Sequence, residues 1–75
     1  GQLRVEDRLM QFLLILKEEI GERKESGTRL KVRLTHQDFA NACCSTRVTM
    51  TRLLGKFQQE GKISFASQNY LVIHF

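Results

Sequence analysis

Apolar positions along this chain change their spacing several times, and each change marks an element. Leu9, Phe12, Leu13, Leu16 and Ile20 recur every three or four residues, with Arg8, Gln11, Lys17, Glu18 and Glu22 on the other faces. That period predicts an amphipathic helix from Val5 to Gly21, closed by the glycine. The charged run Glu22-Arg23-Lys24-Glu25-Ser26-Gly27 follows and reads as a solvated loop. Arg29 to Leu34 then alternates basic and apolar residues, which predicts a half-buried strand. Leu30, Val32 and Leu34 would face inward. Arg29, Lys31 and Arg33 would face outward, either as a plain solvated face or as a flank lying near phosphates.

Thr35 is a suitable N-cap, and Asp38 completes a capping-box pattern for a short helix from His36 to Ala42 that buries Phe39 and Ala40. Cys43, Cys44 and Ser45 make a turn. Ser45 is placed to cap a further helix from Thr46 to Glu60, which Gly61 ends. Lys62 to Phe65 and Tyr70 to His74 read as two strands around Ala66-Ser67-Gln68-Asn69, a β-hairpin. The connection between the two later helices is too short for antiparallel packing, so they must cross steeply and leave the second protruding. Ala40 is small where they should meet. The order predicts an α+β fold, a winged helix-turn-helix: three helices, a small antiparallel sheet and a C-terminal hairpin wing. Residues 1–75 form one such domain, with no internal repeat.

Wound at about 100° per residue, the segment from Thr46 to Glu60 has two unlike faces. Met50, Leu53, Leu54 and Phe57 fall in one arc. Val48, Thr51, Arg52, Gly55 and Lys56 fall in the opposite arc, with Arg47 at its N-terminal edge. A front of arginines and short hydroxyls with almost no acid suits base edges in the major groove of DNA. The plainer alternative is that these cations are ordinary solvated residues, Lys56 above all. Gly55 either admits DNA closely or has no role.

Charge sharpens this picture. Residues 1–25 hold five basic and six acidic groups, a net −1, whereas residues 26–75 hold seven basic and two acidic groups, a net +5. A basic portion favours a polyanionic partner. No apolar stretch is long enough to span a membrane, so no membrane partner is expected. The adjacent Cys43 and Cys44 cannot close a useful loop, which excludes a disulfide framework and fits a reducing cytoplasm. Cys43 reads as a small buried hydrophobe. Cys43, Cys44, His36 and His74 match no metal-ligand spacing, so no metal is expected. His36 should point toward the phosphate backbone, and His74 should be a strand-end residue. No nucleophile, base and orienting acid occur together, and no glycine-rich phosphate loop is present, so the chain does not read as an enzyme.

Leu34-Thr35-His36-Gln37-Asp38-Phe39-Ala40, then Ser45-Thr46-Arg47, Thr49, Arg52-Leu53-Leu54 and Glu60-Gly61-Lys62-Ile63, resemble the C-terminal DNA-binding domain of the Crp/Fnr family of transcription regulators. The run Ser45-Thr46-Arg47-Val48-Thr49-Met50-Thr51-Arg52-Leu53-Leu54-Gly55 is especially similar to the cyanobacterial nitrogen-regulating branch of that family, as is Phe12-Leu13-Leu14-Ile15-Leu16. The likeness covers nearly the whole chain. It implies a bacterial, cytoplasmic, nucleoid-associated regulator. Family members also carry an effector-sensing β-roll and a long dimerisation helix, which these 75 residues do not contain, so the resemblance implies a piece of a longer protein. It implies no cofactor in this domain. The implied partners are double-stranded DNA with a near-palindromic site, a second copy held through that further helix, and RNA polymerase.

By the same resemblance Arg47, Val48 and Arg52 occupy base-reading positions, with Thr51 beside them. Arginine matches O6 and N7 of guanine, and Val48 can pack on a thymine methyl, so a GTA-type half-site is implied. Thr35, Gln37, Thr46 and Thr49 match phosphate-contacting positions, and His36 and Lys56 join them as candidates. Two departures stand out. The family places glycine where Cys44 stands, because the turn takes a positive φ there, which should strain a cysteine by roughly 1 kcal/mol. The wing tip Ala66–Asn69 lacks the basic or histidine residues of some relatives, so its phosphate contacts should be weak. The rival expectation is a winged-helix module that holds a protein partner and not DNA.

Overall fold

A computed structural model describes residues 4–75 of the chain. Residues 1–3, which the single-domain reading also takes in, lie outside the described residues. The order is α1 (Val5–Ile20), β1 (Gly21–Lys24), β2 (Gly27–Leu30), α2 (His36–Ala42), α3 (Arg47–Gln59), β3 (Ile63–Phe65) and β4 (Leu71–Ile73). All strand pairs are antiparallel, in the order β1-β2-β4-β3. This is the expected winged helix-turn-helix.

One face of each amphipathic element meets in a common core. Leu9, Leu13 and Leu16 come from α1, Phe39 and Ala40 from α2, and Met50, Leu53, Leu54 and Phe57 from α3. Leu30, Ile63, Leu71 and Ile73 close it from the sheet. Phe12 meets Phe39 edge to face at 5.7 Å between ring centroids, a favoured aromatic geometry. Cys43 is buried among these groups as a small hydrophobe, and burial pushes its thiol pKa up.

Four local expectations need correction. The charged run from Glu22 to Gly27 is not a loop. Gly21–Lys24 and Gly27–Leu30 form a hairpin around Glu25 and Ser26. A short edge strand with little burial shows no apolar alternation, and its charges blunt the exposed edge. Gly21 is required at the helix-to-strand junction, where an added Cβ would lie 2.2 Å from the Lys17 carbonyl oxygen.

The expected strand from Arg29 to Leu34 stops at Leu30. Its partner β4 pairs only with Thr28 and Arg29, and the Lys31 N–H donates to the Ile20 carbonyl (2.8 Å) as the ladder ends. Val32 is therefore 49% exposed and not inward. The cap of α3 is Thr46 and not Ser45: the Thr46 hydroxyl accepts from the Thr49 N–H at 3.1 Å. The wing strands are also shorter than expected: β3 lacks Lys62, and β4 lacks Tyr70 and His74.

The turn between α2 and α3 is held on two sides. The Ser45 N–H donates to the Ala40 carbonyl at 2.9 Å, and Arg8 Nε of α1 donates to the Cys43 carbonyl at 2.9 Å. Within it Cys44 takes φ 53°, the left-handed conformation in which a Cβ crowds the following carbonyl. Cys44→Gly should relieve about 1–2 kcal/mol of strain and return roughly half to the greater freedom of the unfolded chain. The net expectation is a stabilisation of about 0.5–1 kcal/mol in urea unfolding, and an unchanged or lower midpoint would refute it. Gly55 lies inside α3, and a Cβ added there would meet nothing within 4 Å. Gly55→Ala should therefore stabilise by about 1 kcal/mol through helix propensity alone, measured in the same way.

Candidate nucleic-acid interface

The apolar arc of α3 is buried and its opposite face is bare. Arg47, Val48, Thr51 and Arg52 are all exposed, Val48 at 77%. Among the described residues no carboxylate pairs with Arg47 or Arg52. Arg47 is the first residue of α3, whose first turn holds no acid. A cation at the positive end of a helix is unfavourable by about 0.3–1 kcal/mol, so this placement opposes helix stability. The face offers two guanidinium forks, one apolar side chain and a hydroxyl.

The remaining sequence-derived candidates border this face. Thr35 and Asp38 form the full capping box: the Asp38 N–H donates to the Thr35 hydroxyl (3.0 Å), and the Thr35 N–H donates to Asp38 Oδ2 (2.8 Å). His36 Nδ1 lies 2.7 Å from Thr51 Oγ1, which joins the start of α2 to the α3 face. Gln37 is exposed, and its Nε2 donates to Asn41 Oδ1 at 2.9 Å. Thr46 donates to the Thr49 hydroxyl at 3.0 Å, so these two side chains form one unit at the start of α3. Nine of the ten candidates thus fall on the α3 front or on the edge where α2 begins.

Lys56 is held differently. Its Nζ lies 2.6 Å from Glu6 Oε1 of α1. The hydrogen bond lowers the Glu6 pKa and raises that of Lys56. Exposure of both partners limits what the pair is worth.

Arg29 and Arg33 of the alternating basic segment converge beside the wing. The Arg29 and Arg33 guanidinium carbons lie 4.8 and 5.6 Å from the centre of the Tyr70 ring. The outward alternation of Arg29 and Arg33 was visible, but their convergence on Tyr70 depends on β2 pairing with β4. Within the described residues no helix is long and apolar enough to cross a membrane.

Comparison with known proteins agrees with this fold. The global nitrogen regulator of Synechocystis sp. is 43% identical over 65 residues, 87% of this chain and 29% of that protein. The regulatory protein CysR of Synechococcus elongatus is 43% identical over 63 residues, 80% of this chain and 31% of that protein. The chain thus spans less than a third of the length of these curated relatives. Among solved structures, a CooA mutant from Carboxydothermus hydrogenoformans superposes with a TM-score of 0.85 at 25% identity, covering 96% of this chain and 33% of that one. A Crp/Fnr-family transcriptional regulator from Thermus thermophilus gives 0.75 at 30% identity, covering 93% of this chain and 35% of that one. The family model of the Crp-like helix-turn-helix domain matches residues 7–74, almost every residue of the fold just described, and the chain belongs to that family.

Proposed function

We propose that this chain is the sequence-specific DNA-binding domain of a bacterial transcription regulator of the Crp/Fnr type. α3 enters the major groove, where Arg47, Val48, Thr51 and Arg52 meet base edges. Thr35, His36, Gln37, Thr46 and Thr49 lie toward the phosphates on either side, and Lys56 joins them when it leaves Glu6. The observation that carries this proposal is the bare α3 face. Two arginines without acidic partners stand on it, one of them at a helix end where it works against the dipole.

Arginine presents a fork to guanine, and Val48 offers methyls to thymine, which supports a GTA-type half-site. The similarity to a global nitrogen regulator supports nitrogen-linked control, in the bacterial cytoplasm and at the nucleoid. In the longer protein two copies would bind a near-palindrome with half-sites about one helical turn apart, and an activator would also touch RNA polymerase. No group in the domain is assigned catalysis or a cofactor. A protein-docking face would need several apolar residues on the exposed side of α3, and Val48 is the large one there.

The test is a titration of the 75-residue chain with a duplex carrying a GTA palindrome and with a scrambled duplex. The palindrome should bind more tightly, and equal affinities would sink the sequence-specific proposal. Arg47→Ala should cut the preference by roughly 5- to 150-fold, the worth of one bidentate base contact at about 1–3 kcal/mol. Lys62→Ala should leave it nearly intact, because Lys62 pairs with Glu60 and lies over the Phe57 ring.

A further inference from the structure

His36 and Thr51 are fifteen positions apart, and the crossing of α2 and α3 brings His36 Nδ1 within 2.7 Å of Thr51 Oγ1. Both ends of this contact are held. The Thr35–Asp38 capping box fixes the backbone where α2 begins. The His36 ring lies in a cleft with Leu34, Phe39, Leu54, Phe65 and Asn69, which limits where it can swing. Thr51 stands between Met50, buried in the core, and Arg52, exposed on the α3 front. Its branched side chain has few rotamers in a helix.

A hydroxyl has one proton to donate and lone pairs that accept, so a threonine alone can meet either a base amino group or a base carbonyl. A fixed partner on one side removes that freedom. Where the imidazole nitrogen accepts, the Thr51 proton is spent on it and only lone pairs face the groove. The hydroxyl then suits a donor, N6 of adenine or N4 of cytosine. Where the nitrogen carries a proton, it donates to Oγ1 and the Thr51 proton turns outward. The hydroxyl then suits an acceptor, O6 or N7 of guanine or O4 of thymine.

We propose that His36 is a positioning residue that sets the hydrogen-bonding polarity of Thr51, so that one position of the DNA site favours a major-groove amino group when the ring is neutral and a carbonyl when it is protonated. This rests on the reading that α3 meets base edges, and it gives His36 a part in sequence preference beyond a phosphate contact. The other ring nitrogen decides which case holds. On DNA, Nε2–H donates to a phosphate oxygen, which leaves Nδ1 of the neutral ring as the acceptor. The imidazolium carries protons on both nitrogens, so protonation reverses the bond to Thr51.

The charged groups on the elements around His36 are Arg33 before α2, Asp38 in the first turn of α2, and Arg47, Arg52 and Lys56 of α3. Asp38 Oδ2 accepts from the Thr35 N–H, and Lys56 pairs with Glu6. The wing meets the cleft through Phe65 and Asn69, which carry no charge. Among the described residues no carboxylate forms an ion pair with His36. A proton gained by the ring is therefore answered by Thr51 and by the phosphate.

The test is competition binding of the 75-residue chain to GTA palindromes in which each half-site position in turn carries C·G or G·C, at about pH 8 and about pH 5.5. Exchanging these pairs moves the amino group and the carbonyl between strands without a thymine methyl. At one position the ratio of the two affinities should change by roughly 3- to 10-fold between the two pH values, the worth of one hydrogen bond. Thr51→Val and His36→Gln, whose amide donates and accepts at both pH values, should each abolish that change. His74→Gln should keep it, because His74 bonds Ser64 on the wing. The double variant His36→Gln, Thr51→Val should alter the ratio no further than Thr51→Val alone. A histidine acting on phosphate only would weaken every duplex alike and leave the ratio untouched. Thermal melting at both pH values establishes that each variant is folded, and Thr51→Val tests the hydroxyl if His36→Gln is not. A ratio that is independent of pH at every position, or a change that survives in His36→Gln or Thr51→Val, overturns the inference. A GTA preference over the scrambled duplex that persists without any pH effect overturns it alone, whereas equal binding of GTA and scrambled duplexes overturns the base-reading proposal with it.

Discussion

The structure depends on α3 being anchored by one arc and left bare on the other. Met50, Leu53, Leu54 and Phe57 are all buried. Each such side chain contributes about 1.5–3 kcal/mol relative to exposure, so the arc outweighs any polar contact the opposite face could make. That surplus lets the outward residues be selected for something other than folding. Arg47 beside the positive helix end and an exposed Val48 are tolerable only because the other arc holds the helix in place.

Cations around this fold are held in two ways. Lys56 and Lys62 have carboxylate partners within 4 Å, Glu6 and Glu60. Arg47, Arg52, Arg29 and Arg33 have none among the described residues. These four are arginines, whose fork suits guanine edges and phosphate oxygens. α1 contributes to both arrangements. Its Glu6 restrains Lys56, and its Arg8 grips the Cys43 carbonyl in the turn that sets the crossing of α2 and α3. These contacts are individually small, and their effect is on position.

Much of this was legible in the sequence wherever a single element carried its own signal. The helix period placed the buried arcs of α1 and α3, and the Thr35–Asp38 pattern gave a capping box that is fully formed. The family pattern foresaw the positive φ at Cys44. What escaped was set by partners distant in the chain. β1 exists because β2 is beside it, and its own residues, Gly21 to Lys24, show no strand period. Val32 continues the alternation of the segment before it, yet pairing stops at Leu30, so an inward-looking valine ends up exposed. The choice of Thr46 over Ser45 as cap turned on one residue of register. The ion pair of Lys56 spans fifty positions and leaves no local trace.

The sheet explains why the wing can serve as a fixed part of the interface. A two-stranded hairpin standing alone is marginal in water. Here β4 is bonded on one side to β3 and on the other to β2, and Leu71 and Ile73 enter the common core. The wing is therefore the far edge of a sheet whose first strand begins directly at the end of α1. Its position relative to α3 is set by the same core that anchors α3, through Ile63, Leu71 and Ile73 on one side and Phe57 on the other. A charge carried on β2 or just after it inherits that rigidity. Arg29 is held in a ladder and against a tyrosine ring.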